Sequence, residues 1–111
     1  MKKLVIVILM AALVAGTVFG QQRFNRGTFN GTARGYAGDV TVAVTFTASR
    51  ITAINVTEHT ETPAFANMVW NNMIPAMVQA QRADVDIVTG ATLTSNALIQ
   101  AVQSAINQAR R

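Results

Sequence analysis

The chain has no cysteine in 111 residues. That excludes disulfide staples, thiolate-held iron–sulfur clusters and c-type haem attachment. Histidine occurs once, as His59. A metal site would have to combine it with Glu61 and the pair Asp84 and Asp86, and nothing there has metal-ligand spacing, so no metal is expected. Aromatics are 6% of the chain and charged residues 13%. The arginines Arg23, Arg26, Arg34, Arg50 and Arg82 are scattered, and only Arg110 and Arg111 adjoin, at the end of the last helical pattern. Cations there complement the helix dipole, and without a basic stripe no nucleic-acid partner is expected. Proline occurs twice, at Pro63 and Pro75.

Long apolar stretches are also missing, except at the start. Lys2 and Lys3 precede an unbroken apolar run over residues 4–14, and Val18, Phe19 and Gly20 lead into polar Gln21 and Gln22. This reads as an export signal over residues 1–20, with Gly20 as the last residue before cleavage. An uncleaved anchor is the other reading, although the run is short for a full span. The domain is therefore expected outside the cytoplasm, in the periplasm or on the outer face of the cytoplasmic membrane. What remains is one small domain of about 90 residues that must rest on its apolar core. Taking Lys2 and Lys3 away leaves only the arginines against five acids.

Residues 21–30 read as a polar leader. Residues 31–36 read as a first strand, and Gly35 and Gly38 flank a tight connection. In residues 40–46, Val40, Val42, Val44 and Phe46 alternate with Thr41, Ala43 and Thr45, the period of a half-buried strand. A third strand is expected over residues 51–58, with Ile54 and Val56 inward. The period then becomes helical. Thr62 and Pro63 look like an N-cap and a first helical position. Phe65, Met68, Val69 and Met73 fall at helical spacing, and Pro75 is expected to break or restart the helix before residues 76–81. Residues 86–88 read as a short extended piece. In residues 96–110, Ala97, Leu98, Ala101, Val102, Ala105 and Ile106 make one apolar stripe. The order predicts an α+β domain: an antiparallel meander with two or three helices packed on it.

The chemistry concentrates in residues 86–95, DIVTGATLTS. Thr89, Thr92, Thr94 and Ser95 crowd a Gly90–Ala91 turn just before the last helix. A helix start favours an anion, because its first N–H groups are unpaired and the dipole is positive there. A plain structural reading makes Thr94 or Ser95 the N-cap and Gly90 the turn residue. It does not call for Asp86, Ala91 and Thr92 as well. Glu61, Thr62 and Pro63 form a second corner. Met68, Met73 and Met77 read as core filler. Trp70 reads chiefly as a packing residue, with stacking on a ring as the alternative.

The segment resembles the flavinylation motif of the FMN-binding domain family, Asp-x-x-(Ser/Thr)-Gly-Ala-(Ser/Thr)-x-Thr. Asp86, Thr89, Gly90, Ala91, Thr92 and Thr94 fill every specified position. The resemblance extends over about residues 31–109 and includes Gly35, Tyr36 and Gly38. It implies FMN joined through a phosphoester to Thr94 by a separate flavin transferase, with FAD as donor and Mg²⁺ held on that enzyme. It places Asp86, Thr89, Gly90, Ala91, Thr92, Leu93, Ser95, Glu61 and Thr62 around the cofactor. Thr89 and Thr92 are chemically competent attachment points too, but the family uses the last Thr. Ala64 stands where the family often has Gly after Glu-Thr-Pro. Family members include exported domains and the membrane-anchored subunits C and G of sodium-pumping quinone reductases and their ferredoxin-linked relatives. The implied function is an electron carrier rather than an enzyme, free-standing, serving a redox protein or a membrane redox complex. The alternative is an exported adaptor of the same fold without flavin.

Overall fold

A computed structural model of the protein describes residues 23–111. The expected export segment lies outside them. Three strands, β1 (Gly27–Arg34), β2 (Asp39–Phe46) and β3 (Ile51–Glu58), form an antiparallel meander in the order β1-β2-β3. Two helices follow, α1 (Pro63–Ala80) and α2 (Thr92–Ala109). The α+β class holds, with two helices.

The alternation in β2 does what its period requires. Val40, Val42, Val44 and Phe46 are buried, and the alternating Thr41, Ala43 and Thr45 face the other way. On that other face the register sets Thr28 opposite Thr45 and Thr32 opposite Thr41. Each pair joins its hydroxyls, at 3.1 and 3.0 Å. In β3 the inward residues are Ile51 and Ile54, with Val56 half-buried. The register slips between Thr45 and Phe46, so Phe46 faces Ile51.

Helix α2 lies across β1 and β2, and α1 lies against β3. Ala97, Ala101, Ala105 and Ala109 recur every fourth residue of α2, and all are buried. This ridge of methyl groups lets the helix backbone approach the sheet. The approach is close enough that a Cβ on Gly31 would collide with the Ala101 carbonyl.

Four local readings are corrected. The first strand starts at Gly27 rather than at residue 31, and Phe24 before it is buried against Phe46, ring centroids 4.6 Å apart. The Phe24 N–H donates to the Ala48 carbonyl, and the Asn25 N–H to that of Ala109. Part of the expected leader thus closes one end of the core. Second, α1 runs through Pro75 without a break. Pro75 and Asn71 are both exposed, so the carbonyl that proline leaves without a donor can be hydrated. Third, the buried stripe of α1 is Ala66, Val69, Met73 and Met77, while Phe65 and Met68 face outward. Fourth, α2 begins at Thr92 rather than at residue 96; residues 86–88 pair with no strand.

The end of α1 is tied to the sheet by one side chain. Gln81 caps the helix in a left-handed conformation, φ 60°. Its Oε1 accepts the Ile51 N–H at 2.8 Å, and its Nε2 donates to the carbonyls of Ile51 and Val78 at 2.9 and 2.6 Å. The amide serves the first residue of β3 as a neighbouring strand would.

Candidate functional site

The loop between the helices is built from its own backbone. The Ala91 N–H donates to the Val88 carbonyl at 3.0 Å, closing a β-turn with Gly90 in its third position. Gly90 has φ 89°, which a turn of the type II class needs there and which glycine adopts without strain. Ser95 is fully buried, and its Oγ accepts the Val88 N–H at 3.2 Å, pinning the loop to α2.

Ala91 is the N-cap, and no side chain caps the helix. The plain structural alternative, with Thr94 or Ser95 as the cap, does not hold. Thr94 is the third residue of α2. The first helical bond runs from the Ser95 N–H to the Ala91 carbonyl. The N–H groups of Thr92, Leu93 and Thr94 thus have no helical acceptor, and no acidic residue lies in this turn. That end of the helix is electropositive and unneutralised by its own sequence.

Thr94 is 5% exposed, and its hydroxyl donates to Glu61 Oε1 at 2.5 Å. Glu61 is itself 4% exposed. Its Oε1 also accepts the Tyr36 N–H at 2.8 Å, and its Oε2 accepts the Ala37 N–H at 2.7 Å. The carboxylate is stabilised by the amides of the β1–β2 turn, which form a small anion-holding concavity. Gly35 makes room for it: a Cβ there would lie 2.7 Å from Oε1. Burial pushes the Glu61 carboxyl up. The Thr94 hydroxyl and the N–H groups of Ala37, Tyr36 and Gly38 outweigh this and hold it below its ordinary value. Glu61 was expected to line a cofactor site; the structure places it beneath Thr94, joining the β1–β2 turn to the start of α2.

Above Thr94 opens a cleft of about 520 Å³, lined by Tyr36, Thr62, Phe65, Gly90, Ala91, Thr92, Leu93 and Thr94. Its size falls in the usual range for small-molecule sites. Tyr36, Phe65 and Leu93 are 71%, 54% and 57% exposed. Large apolar side chains this exposed around one concavity mark a binding surface. Thr62 lies in the cleft wall as the N-cap of α1, without a side-chain capping bond.

The expected site residues therefore divide. Thr62, Gly90, Ala91, Thr92, Leu93 and Thr94 line the cleft, with Glu61 and Ser95 supporting it from below. Thr89 is exposed on the turn outside the lining. Asp86 is exposed on a separate groove with Asn72, Ala76 and Arg82. Trp70 packs edge-on against His59, ring centroids 5.5 Å apart, and does not line the cleft. The His59 Nδ1 accepts the Glu61 N–H at 3.1 Å. Among the described residues no three His, Asp or Glu side chains gather as a metal site would require. Tyr36 and Phe65 are the cleft residues outside the expected cofactor set, and in the sequence Tyr36 stands only as part of the turn. Its signal was the Gly35–Tyr36 pair, an exposed aromatic on a tight turn.

These residues fit FMN: the exposed side chains of Tyr36, Phe65 and Leu93 for a ring, a helix start with free N–H groups for a phosphate, and the Thr94 hydroxyl in the same lining. The comparisons agree. The chain is 35% identical over 82 residues to an uncharacterized protein of Treponema pallidum (strain Nichols), covering 74% of this chain and 23% of that one. It is 31% identical over 87 residues to an NADH:acrylate oxidoreductase of Vibrio harveyi, covering 78% of this chain and 9% of that one. It thus spans less than a quarter of the length of either relative. The FMN-binding domain model matches residues 35–107, the whole span from the β1–β2 turn nearly to the end of α2, and the chain belongs to that family.

Proposed function

We propose that this protein is an exported electron carrier holding one FMN through a phosphoester on Thr94. The observation that carries the reading is that Thr94 lines the cleft and is also the third residue of α2, in the turn whose first three N–H groups lack a helical acceptor. A phosphate on the Thr94 oxygen would sit against unpaired amide donors at the positive end of the helix. The ring would then lie between Phe65 and Leu93, with one edge toward solvent and open to a partner. FMN supplies the redox chemistry when bound, and the chain supplies attachment, orientation and exposure.

The attachment is the work of a flavin transferase, with FAD as donor and Mg²⁺ on that enzyme. Export would follow from residues 1–20. A tether suits an extracytoplasmic carrier, because FMN lost there is not easily recaptured. The relation to part of an NADH:acrylate oxidoreductase supports a flavin module that exchanges electrons with another redox centre, in a partner protein or a membrane complex. The test is colour after denaturation. Protein co-expressed with a flavin transferase, then unfolded and desalted, should remain yellow. Colourless protein would favour the flavin-free adaptor, and colour that washes out would mean loosely held FMN.

A further inference from the structure

The Thr94 hydroxyl has one proton, and it is already committed to Glu61 Oε1. That leaves the oxygen lone pairs to meet an electrophile arriving from the cleft. Attachment of a phosphate removes the proton and sets a phosphodiester anion beside a buried carboxylate. A like charge at that range disfavours the ionised form of the carboxylate. Besides Thr94, the donors that hold Glu61 are the backbone amides of Tyr36, Ala37 and Gly38, which carry no net charge to balance a second anion. The titratable side chains beside it are His59, whose Nδ1 is occupied by the Glu61 N–H, and exposed Tyr36.

We propose that Glu61 is the proton acceptor for attachment: as Thr94 Oγ1 bonds to the phosphorus of the FMN half of FAD, the bond from that phosphorus to the AMP oxygen breaks, AMP leaves with the electron pair, and the Thr94 proton passes to Glu61. This rests on the reading that FMN is joined to Thr94. A carboxylate that receives the proton of an attacking hydroxyl is a known arrangement in phosphoryl transfer. Here it would be carried by the acceptor rather than by the transferase. The amides of the β1–β2 turn keep Glu61 ionised beforehand, so each molecule arrives with its base ready. The new anion then raises the proton affinity of Glu61, and the neutral carboxyl can donate to a phosphodiester oxygen. Glu61 is thus a catalytic residue for a reaction completed on its own chain.

The test combines single-turnover flavinylation by purified transferase, FAD and Mg²⁺ with the carboxyl resonance of Glu61. Glu61→Gln should slow adduct formation, read by intact mass, by roughly 10²- to 10⁴-fold. The loss should fall on the rate at saturating acceptor, with KM unchanged, and Glu61→Asp should recover part of it. A purely structural role would raise KM and show no such recovery. In ¹³C-glutamate-labelled protein, Glu61 should be ionised at about pH 6 before attachment and neutral after it. Modification of folded Glu61→Gln at the wild-type rate, or an ionised Glu61 in the adduct, overturns the role. If Glu61→Gln does not fold, the resonance decides. A wild-type chain that gains no adduct on Thr94 overturns the attachment itself as well.

Discussion

The two ends of α2 solve opposite problems. At its C-terminal end Phe24 is drawn in, 1% exposed, against Phe46, and backbone bonds from Asn25 and Arg111 tie the preceding segment to the helix. At its N-terminal end a carboxylate and a hydroxyl are buried, while Tyr36, Phe65 and Leu93 stand in solvent. One end hides its aromatic side chains and the other hides its polar ones. A domain selected for stability alone would be built like the first end throughout. The inverted end is where function is to be sought, because the fold satisfies its buried carboxylate and hydroxyl internally and leaves large apolar side chains in solvent around a cleft, where a ligand can cover them.

The comparison can be broken first at the closed end. Phe24→Ala should cost about 3–5 kcal/mol in denaturant unfolding, as for other large aromatic truncations in cores. Folded Phe24→Ala protein should still accept FMN. Loss of only a few tenths of a kcal/mol would show that the segment before β1 merely rests on the core.

Thr94→Ala should have the next largest effect on stability, about 1.5–3 kcal/mol, since it removes a hydrogen bond to a charged group. It should remove all covalent flavin. Retained adduct on Thr94→Ala would move the attachment elsewhere, to Thr89 or Thr92.

Acid should act through the open end. Glu61 is held below its ordinary value, so its contribution is present above the unfolded glutamate value of about 4.3 and disappears as pH falls through the lower folded one. Melting temperature should therefore drop below about pH 4 in the unmodified wild type, and the component due to this site should be absent in Glu61→Gln. Parallel pH profiles for the two would remove Glu61 from the account of acid stability.

The smallest effects belong to the exposed rim. Phe65→Ser and Leu93→Ser should change stability by no more than about 0.5 kcal/mol while altering the absorption band of bound flavin. Asp86→Ala should likewise leave the melting temperature in place but slow modification by the transferase, since Asp86 lies on a different groove from the cleft. An unchanged modification rate would make Asp86 a spectator.

Where pattern and packing agree, the sequence was legible. The alternation of Val40, Val42, Val44 and Phe46 and the Ala–Leu–Val stripe of α2 each place their residues inward, as found. The hydroxyl loop was legible too, because its residue types crowd together in the chain. The start of α2 was not, since a backbone turn and an alanine begin it where a capping side chain was expected. In α1 two apolar stripes share Val69 and Met73, and contact with β3 and α2 selects Ala66 and Met77 over Phe65 and Met68. The Glu61–Thr94 bond spans 33 positions, and no local pattern announces a contact that the fold alone creates.

The attachment itself admits one direct measurement: intact mass and peptide fragmentation of protein co-expressed with a flavin transferase. The account predicts a single FMN adduct located on Thr94 and absent from Thr94→Ala. A bare chain mass, or an adduct located on Thr89 or Thr92, would contradict it.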